Sequence, residues 1–537
     1  MDNKTVHKFF LLCFILISTV SYSQVVFETD NSGIYSFLDR LYQKQIIQLT
    51  SEIKPYSKIY IVSKLKEIAG RKEILNKLEQ QELDWYLRRY SLELDTNGHI
   101  LGELNYIEDE FKTRIFLIAG YGISSSGGKH GHHRKIGAHF DAYYSDNFGV
   151  MFEYLDNGEF GDNVDAVRQL TPSTGHNFKG APDGIEFSDV RAQVNFNWKW
   201  GSFSLKKDYN QWGHGKFGQL ILSNKPASYP HIELRLRPTK WLRFYYIHGW
   251  LNSLVPDSAN FYYSGSSKIQ PILRTGFKSK YIAANMLSID LPQKITFSLG
   301  NSFIYSGDLR PEMFIPFMYY KVMDHNTGRE GHDDGNGMIF FDASVNKLKN
   351  YSFYGTLLID VLEIRQILKG NWWTSWFGYT LGASKMDFIV DNLDLSIEYT
   401  KINPWVYENK FDVTNYKHLG YTLGHWIGQN SDLLSTQLDY SFLRGLRFSL
   451  LGQIFRKGGL KDIFYAYAGR TKLPFLYNPK RIDYSLRLKV FYEALQNLYI
   501  SGAYSYSDIS DDDPGRTPNY LLGKTHSFNL SLSYGLP

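Results

Sequence analysis

The sequence predicts a mainly β protein, a transmembrane antiparallel β-barrel of about 18 strands with a small N-terminal α-helical bundle. Three observations predict it. From about residue 113 apolar and polar residues alternate with a period of two, as where Val194, Phe196, Trp198 and Trp200 interleave with Asn195, Asn197 and Lys199. Many of these segments reach roughly ten residues, enough for a tilted strand to cross a bilayer, and their polar face carries full charges. Tight turns also alternate with long polar connections, the asymmetry of a barrel with short turns on one side and long loops on the other. The 40 tyrosines, 36 phenylalanines and 11 tryptophans crowd strand ends without forming contiguous apolar runs, as interfacial girdles do. A soluble sandwich or propeller also alternates, but lacks the reason for long strands, a charged face and aromatic ends.

The first residues, "MDNKTVHKFFLLCFILISTVSYSQ", place Lys4 and Lys8 before an apolar run from Phe9 to Val20. Ser21 and Ser23 follow as small residues, so residues 1–23 read as a secretory signal peptide cut before Gln24. The run is too short to span a bilayer. Cys13, the one cysteine, leaves with it, which removes disulfides and thiol chemistry from the mature chain. The net charge of +5 drops by one when Lys4, Lys8 and Asp2 leave, a near balance that argues against nucleic acid as a partner.

Residues 24–112 form the helical region. Ile34, Leu38, Leu41 and Leu49 recur at helical spacing. Ser57 follows Pro55 as the cap of a helix carrying Ile61, Leu65 and Ile68, and a third helix is expected from Lys72 to Tyr90 with Ile74, Leu78 and Trp85 on one face. A bundle this small buries only a modest core and needs another body to lean on. Residues 113–537 form the barrel. Strands are expected near 113–123, 138–145, 149–156, 189–200, 202–208, 231–237, 241–249, 280–290, 294–305, 338–346, 352–362, 375–384, 387–401, 433–441, 446–456, 483–494, 498–506 and 526–535. Long polar loops fill 157–188, 250–279, 306–337, 402–432, 457–482 and 507–525. An even strand number returns the C-terminus to the side of the helices, which places the helices in the periplasm, the wall in the outer membrane and the long loops at the cell surface.

One stretch concentrates chemistry: "KKDYNQWGHGKFGQLILSN", residues 206–224. In this layout it lies at the outer rim or folds into the lumen. Trp212 offers a flat face for C–H stacking, while Asp208, Asn210, Gln211 and Asn224 offer hydrogen bonds and the glycines permit close backbone approach. The residues fit a sugar contact and equally a structural lumen loop whose tryptophan packs on the wall. Lys206 and His214 line the same polar surface, beside a strand whose inward face shows Glu233, Arg235 and Arg237. The polysaccharide-binding candidates are Lys206, Asp208, Trp212, His214, Asn224, Arg235 and Arg237.

The block "DYNQWGHGKFGQLILSNKPASYPHIEL" resembles the signature region of the capsule assembly protein Wzi family: an acidic-aromatic approach, Trp-Gly-x-Gly, then a Leu-Ile-Leu-Ser-Asn strand. "IYSFLDRLYQKQIIQLTSEIKPYSKIYI", "LSIEYTKINPWVYENK" and "LGYTLGHWIGQNSDLLSTQLDYSF" are similar to the same family, and the resemblance covers most of the mature chain. It departs at His214, where the family pattern expects proline, and at the terminal Pro537 in place of an aromatic residue. The resemblance implies an outer-membrane barrel with a periplasmic helical bundle that binds or organises surface polysaccharide without catalysis, lectin-like, in contact with outer-membrane lipid and lipopolysaccharide. It leaves open whether capsule, another surface glycan or gliding machinery is served.

Other sites carry less. "GGKHGHHRK", 127–135, gathers His130, His132 and His133, yet no nearby acid or cysteine completes a zinc set, and a basic outer loop near anionic lipopolysaccharide or polysaccharide is the better reading. "GHDDGNG" and "SDISDDDPG" lack the ligand order of an EF-hand loop and read as solvated loops, so neither a metal nor a cofactor is expected. No Gly-x-Ser-x-Gly and no His-Glu-x-x-His occurs, and Asp394 with Glu398 on the lumen face does not by spacing make a glycosidase pair. Two other functions stay open. One is a pore for oligosaccharides or small solutes, for which Arg235, Arg237, Arg487 and Lys489 would serve as lining charges. The other is an assembly factor whose helices dock a periplasmic protein partner.

Overall fold

The computed structural model describes residues 26–28, 33–96, 100–145, 147–264, 272–320, 322, 335–460, 463–464 and 473–537. The expected signal peptide lies outside them. Alternation resolves into eighteen antiparallel wall strands: β1 Phe111–Ser126, β2 Lys129–Tyr144, β3 Phe148–Gly161, β4 Gly184–Trp198, β5 Gly201–Asp208, β6 Tyr229–Leu236, β7 Leu242–Ser264, β8 Ile272–Leu291 and β9 Ile295–Ser306. They continue as β10 Asn336–Val345, β11 Tyr351–Val361, β12 Trp376–Lys385, β13 Leu393–Ile402, β14 Ser431–Leu443, β15 Leu446–Lys457, β16 Arg481–Leu495, β17 Leu498–Asp511 and β18 Gly523–Tyr534. β18 pairs with β1, Ser527 opposite Ser126 and Tyr534 opposite Ala119, so the barrel closes and no edge remains. The wall begins earlier than residue 113: Glu103–Glu108 pairs with the first half of β1, below the end of β18.

The period of two does what the sequence promised on the outside. Leu117, Tyr121, Ile123, Leu486, Leu488, Leu530 and Leu532 stand exposed there, the dress of a lipid-facing surface. Two expected loops are wall instead. "GGKHGHHRK" is a hairpin, not a loop: Gly127 and Gly128 turn with φ of 55° and 76°, and Lys129 already belongs to β2. His132 therefore points outward, stacked between Tyr121 and Phe160, while His133 points inward to Asn157 Oδ1 at 3.1 Å. Much of 250–279 is likewise strand, because β7 and β8 run on past two bulges, at Asn252–Pro256 and Asp257–Phe261.

One connection folds over the outside. After β9 the chain turns back, and residues 307–320 lie as a strap on the outer face of β7–β9. Phe317 stacks on Phe244 and Phe314 on His248, each at 4.2 Å between ring centres. Asn285 Nδ2 donates to the carbonyls of Pro316 and Met318 at 2.8 and 2.7 Å, and Tyr320 N donates to Asn301 Oδ1 at 2.7 Å. Met313 and Tyr320 are buried beneath it, and Ile315, Phe317 and Tyr319 face outward.

The helices are α1 Gly33–Gln43, α2 Lys58–Ala69 and α3 Lys77–Arg89. The third is shorter than the periodicity predicts. Asn76 accepts from Glu79 N and Glu79 accepts from Asn76 N, a capping box that starts the helix afresh after a separate turn at Lys72–Ile74. Ile34, Leu38, Leu41, Ile61, Leu65 and Leu83 meet in one core. The bundle leans on the short-turn end of the barrel. The Arg40 guanidinium reaches Glu79 at 3.0 Å, Asp394 at 2.5 Å and Asp387, tying α1 and α3 to the β12–β13 turn. Arg89 pairs with Glu493 at 3.1 Å, and Arg444 lies 3.6 Å over the Trp85 ring at two further turns.

Candidate functional site in the lumen

Between β5 and β6 the chain leaves the wall and enters the barrel. Gln211–Trp212 pairs antiparallel with Ile53–Lys54, the segment joining α1 to α2, and Trp212 N also donates to Leu222 O at 2.9 Å. This entry needs glycine. Gly213 sits at φ 106°, and a side chain at Gly218 would meet His425 Nε2 at 2.4 Å. A second segment, residues 403–430, also folds inward rather than outward, and the two interlock. Tyr407 OH donates to Leu220 O at 2.7 Å, Tyr416 OH to Ile221 O at 2.9 Å, and Trp426 Nε1 to Phe217 O at 2.8 Å.

Together they fill much of the lumen with an apolar core, although the inward faces of the strands alternate as polar positions. Trp212, Leu220, Ile221, Trp405, Val406, Leu423 and Ile427 pack against Ile247, Ile282, Met338, Phe340 and Leu358 of one wall and Ile402, Leu433 and Phe455 of another. On β7–β11 the inward face is apolar where it meets this core, with Arg243 and Asp342 nearer the helices. The sequence places 402–432 among the long polar loops of the outer side, and the structure folds it into the lumen instead. The signal for that inward fold was its density of Trp405, Val406, Tyr407, Trp426 and Ile427, which no exposed loop needs.

The candidate residues do not converge on one site. Trp212 is 1% exposed, edge-on to Phe340 at 6.2 Å, and packs on the wall with no face free. Asp208 is buried between Arg191 Nε at 2.7 Å and Gln193 Nε2 at 2.8 Å. Lys206 and Arg235 share Glu233 and clasp the Phe27 ring at 4.1 and 4.4 Å. These three belong to an interior ladder of charges, continuing through Glu153, His139, Asp141, Arg114 and Glu93, that seats the N-terminal segment on β1–β6. Asn224 lies under the 162–178 connection, where its carbonyl accepts from Thr174 Oγ1 at 3.0 Å. Its neighbour Lys225 donates to the carbonyls of Thr171 and Ser173 at 2.9 and 2.7 Å, and burial, with Arg168 nearby against Asp165, brings its ammonium down to about 7. Arg237 is exposed at the short-turn end.

His214 alone among them lines an inner cavity. A cavity of about 700 Å³ lies between α1, the Gly213–Gln219 turn and the inner faces of β11–β16. His214 Nδ1 sits 2.5 Å from Asp342 Oδ2, and its Nε2 2.9 Å from Ser51 Oγ. Burial opposes a charge on this ring, but Asp342, with Glu52 and Asp39 farther off, raises its pKa above the usual histidine value. Beside it Lys216 Nζ reaches Ser396 Oγ at 2.9 Å and Asp439 Oδ2 at 3.2 Å. Glu398 accepts from Lys216 N at 2.6 Å, Phe217 N at 3.2 Å and Tyr354 OH at 2.7 Å, while Asp394 is held by Arg40. The two carboxylates considered for glycoside chemistry thus hold the plug and the helices. On the far side the cavity reaches Arg447, Ser449, Lys489 and Phe491. Among the described residues no cluster of three or more histidine, cysteine or acidic groups is arranged to hold a metal.

No family model matches the chain, and no curated protein matches its sequence. A solved structure does. Wzi of Escherichia coli, described as an outer-membrane protein involved in group 1 capsule assembly and as a carbohydrate-binding β-barrel, superposes with a TM-score of 0.57 at 14% identity, covering 95% of this chain and 99% of that one. OprD of Pseudomonas aeruginosa (0.42, 10% identity, 80% of this chain and 96% of that one) and OccAB4 of Acinetobacter baumannii (0.43, 9%, 80% and 98%) are more distant. At this identity the likeness establishes the fold: a closed eighteen-strand β-barrel with N-terminal helices, like that of Wzi along nearly the whole chain, as the Trp-Gly-x-Gly block and its companions led one to expect.

Proposed function

We propose that this protein is an outer-membrane barrel that holds or organises surface polysaccharide, neither conducting solutes nor catalysing a reaction. One observation carries the reading: the lumen is packed by the protein's own segments 209–228 and 403–430 and covered by helices at the short-turn end. A conducting barrel needs an unobstructed water column. Packing Trp405, Trp426 and Ile427 across the lumen stabilises a plug and defeats a channel. The description of Escherichia coli Wzi as carbohydrate-binding supports the choice of ligand. In this reading the helices lie in the periplasm, and the opposite end of the barrel meets the glycan and lipopolysaccharide.

Two measurements test it together. The refolded protein in planar bilayers is expected to show no stable openings, and cells lacking the gene are expected to shed surface polysaccharide that the restored gene retains. Large stable conductance sinks the reading, as does unchanged retention in the deleted strain.

A further inference from the structure

Most inward charges of this barrel are neutralised. Arg40, Arg114, Arg191, Arg235, Arg243, Lys58 and Lys206 each have a carboxylate within ion-pair reach. Three cations on the inner face of β15 and β16 differ. In the register of these strands Arg447 stands opposite Phe491, Ser449 opposite Lys489 and Leu451 opposite Arg487. Arg447 and Lys489 are therefore diagonal neighbours, and Lys489 and Arg487 are successive inward positions, each pair roughly 7 Å apart. Among the described residues none of the three is ion-paired. Arg487 reaches only Ser505 Oγ, at 3.1 Å, and Lys489 stands 5.7 Å from the Phe491 ring centre.

Two nearby acids are already engaged, and a third, Glu82, which also lines the cavity, accepts from Gly445 N at 3.1 Å and forms no ion pair with Arg447. Asp439 takes Lys216 at 3.2 Å, Gln437 Nε2 at 2.7 Å and Ser449 Oγ at 2.5 Å, and Glu493 takes Arg89. Like charges set side by side on a sheet face repel, and Arg487 and Lys489, exposed on the inward face, with the half-buried Arg447, stand open to a ligand's negative charge.

The surroundings describe that ligand. Arg447 and Lys489 line the 700 Å³ cavity. Past Tyr499, which stacks on Phe491 at 5.8 Å, the adjoining inner wall of β17, β18 and β1 carries Ser501, Ser505, Ser531, Gly120 and Gly122, small groups that leave room and present hydroxyls. Phe491 adds an apolar face next to Lys489. Cations, hydroxyls and an aromatic ring around a polar cavity suit an acidic sugar better than a bare anion, which has no use for the ring.

We propose that the Arg447–Arg487–Lys489 cluster binds the carboxylate of an acidic saccharide inside the barrel. This rests on the polysaccharide-holding reading and gives it a ligand class and an address. The test is calorimetric titration of the refolded full chain in detergent with a short oligogalacturonide, the neutral malto-oligosaccharide of equal length, and inorganic phosphate. Charge-assisted contacts of this kind are worth about 1.5–3 kcal/mol, so Arg447→Gln and Lys489→Gln should each weaken oligogalacturonide binding about tenfold or more. The double variant should bind it weakly or not at all, and, with repulsion removed, unfold no earlier than the wild type when no ligand is present. Lys524→Gln, a cation on the outward face of β18, should bind as the wild type does. Equal binding by wild type and double variant overturns the proposal. So does phosphate competing as well as the saccharide, which would mark a bare-anion site. If the neutral oligosaccharide binds the wild type and double variant alike, the acidic assignment falls while polysaccharide binding stands. If no saccharide binds the wild type, both fall.

Discussion

Trp212 gives the sharpest test of how the plug is held. Its side chain is 1% exposed and packs with Ile53, Leu220, Leu222 and Phe340. Burying an aromatic of this size removes about 200 Å² from water, at about 25 cal/mol per Å² some 5 kcal/mol as an upper value. Trp212→Ala should therefore cost about 3–5 kcal/mol. The wall itself loses nothing, since each strand keeps both neighbours. The cost falls on the seating of 209–228 against the wall. Expressed as a population, an unseated plug becomes more frequent by about two to four powers of ten. Limited trypsin digestion of the refolded barrel reads this directly, because Lys216 and Lys225 lie in the plug. The variant should be cut between β5 and β6 much faster than wild type while still migrating as a heat-modifiable barrel. Brief conductance events should accompany the cutting. Wild-type resistance to trypsin together with a wild-type unfolding midpoint would refute the reasoning, for it would mean the tryptophan contributes nothing to seating.

Other perturbations separate the parts. Because the folded pKa of His214 is raised, its pairing with Asp342 is fully present below the unfolded value of about 6.5 and fades as pH rises through the higher folded value. Proteolytic resistance of the plug should accordingly decline from pH 6 toward alkaline pH in wild type and be flatter in His214→Gln; a flat wild-type profile would dismiss the pair. Arg40→Met leaves Asp394 without its cation and Glu79 and Asp387 with Lys44 alone, at a cost of up to about 3 kcal/mol. Hydrogen exchange in α1 and α3 should rise sharply while the strands stay protected, and uniform protection would contradict the tie. Phe317→Arg puts a charge on the outward face of the strap, worth about 2–4 kcal/mol if it lies at bilayer depth. Folding yield into lipid vesicles should drop, and an unchanged yield would place the strap outside the hydrocarbon.

What the sequence made legible was local. The period of two named strands and inward faces correctly, as where Leu486, Leu488 and Val490 alternate with Arg487 and Lys489, and an even strand number brought the chain ends to one side. Local punctuation that was present but underused explains two misses, the Asn76–Glu79 capping box and the Gly127–Gly128 turn. The candidate site was harder for a physical reason. Lys206, Asp208, Trp212, His214 and Asn224 are close in sequence, but strand alternation and the reversal at Gly213 send them to a charge ladder, an apolar core, a cavity wall and the underside of another loop. Conversely, Arg447 and Lys489 stand 42 positions apart and meet through strand register. Pairing at that range leaves no mark on either segment alone.

The strap on the outer face also orders events in time. His248, Asn285 and Asn301 point outward, and they find partners or cover in Tyr305, the strap carbonyls and its rings. Hydrocarbon offers such groups nothing, and each exposed polar group there costs several kcal/mol. This sector cannot meet lipid before residues 307–320 are laid upon it, nor can they be laid before β7, β8 and β9 have paired beneath. On one meridian, then, the chronology of insertion is dictated: wall first, cladding second, membrane last.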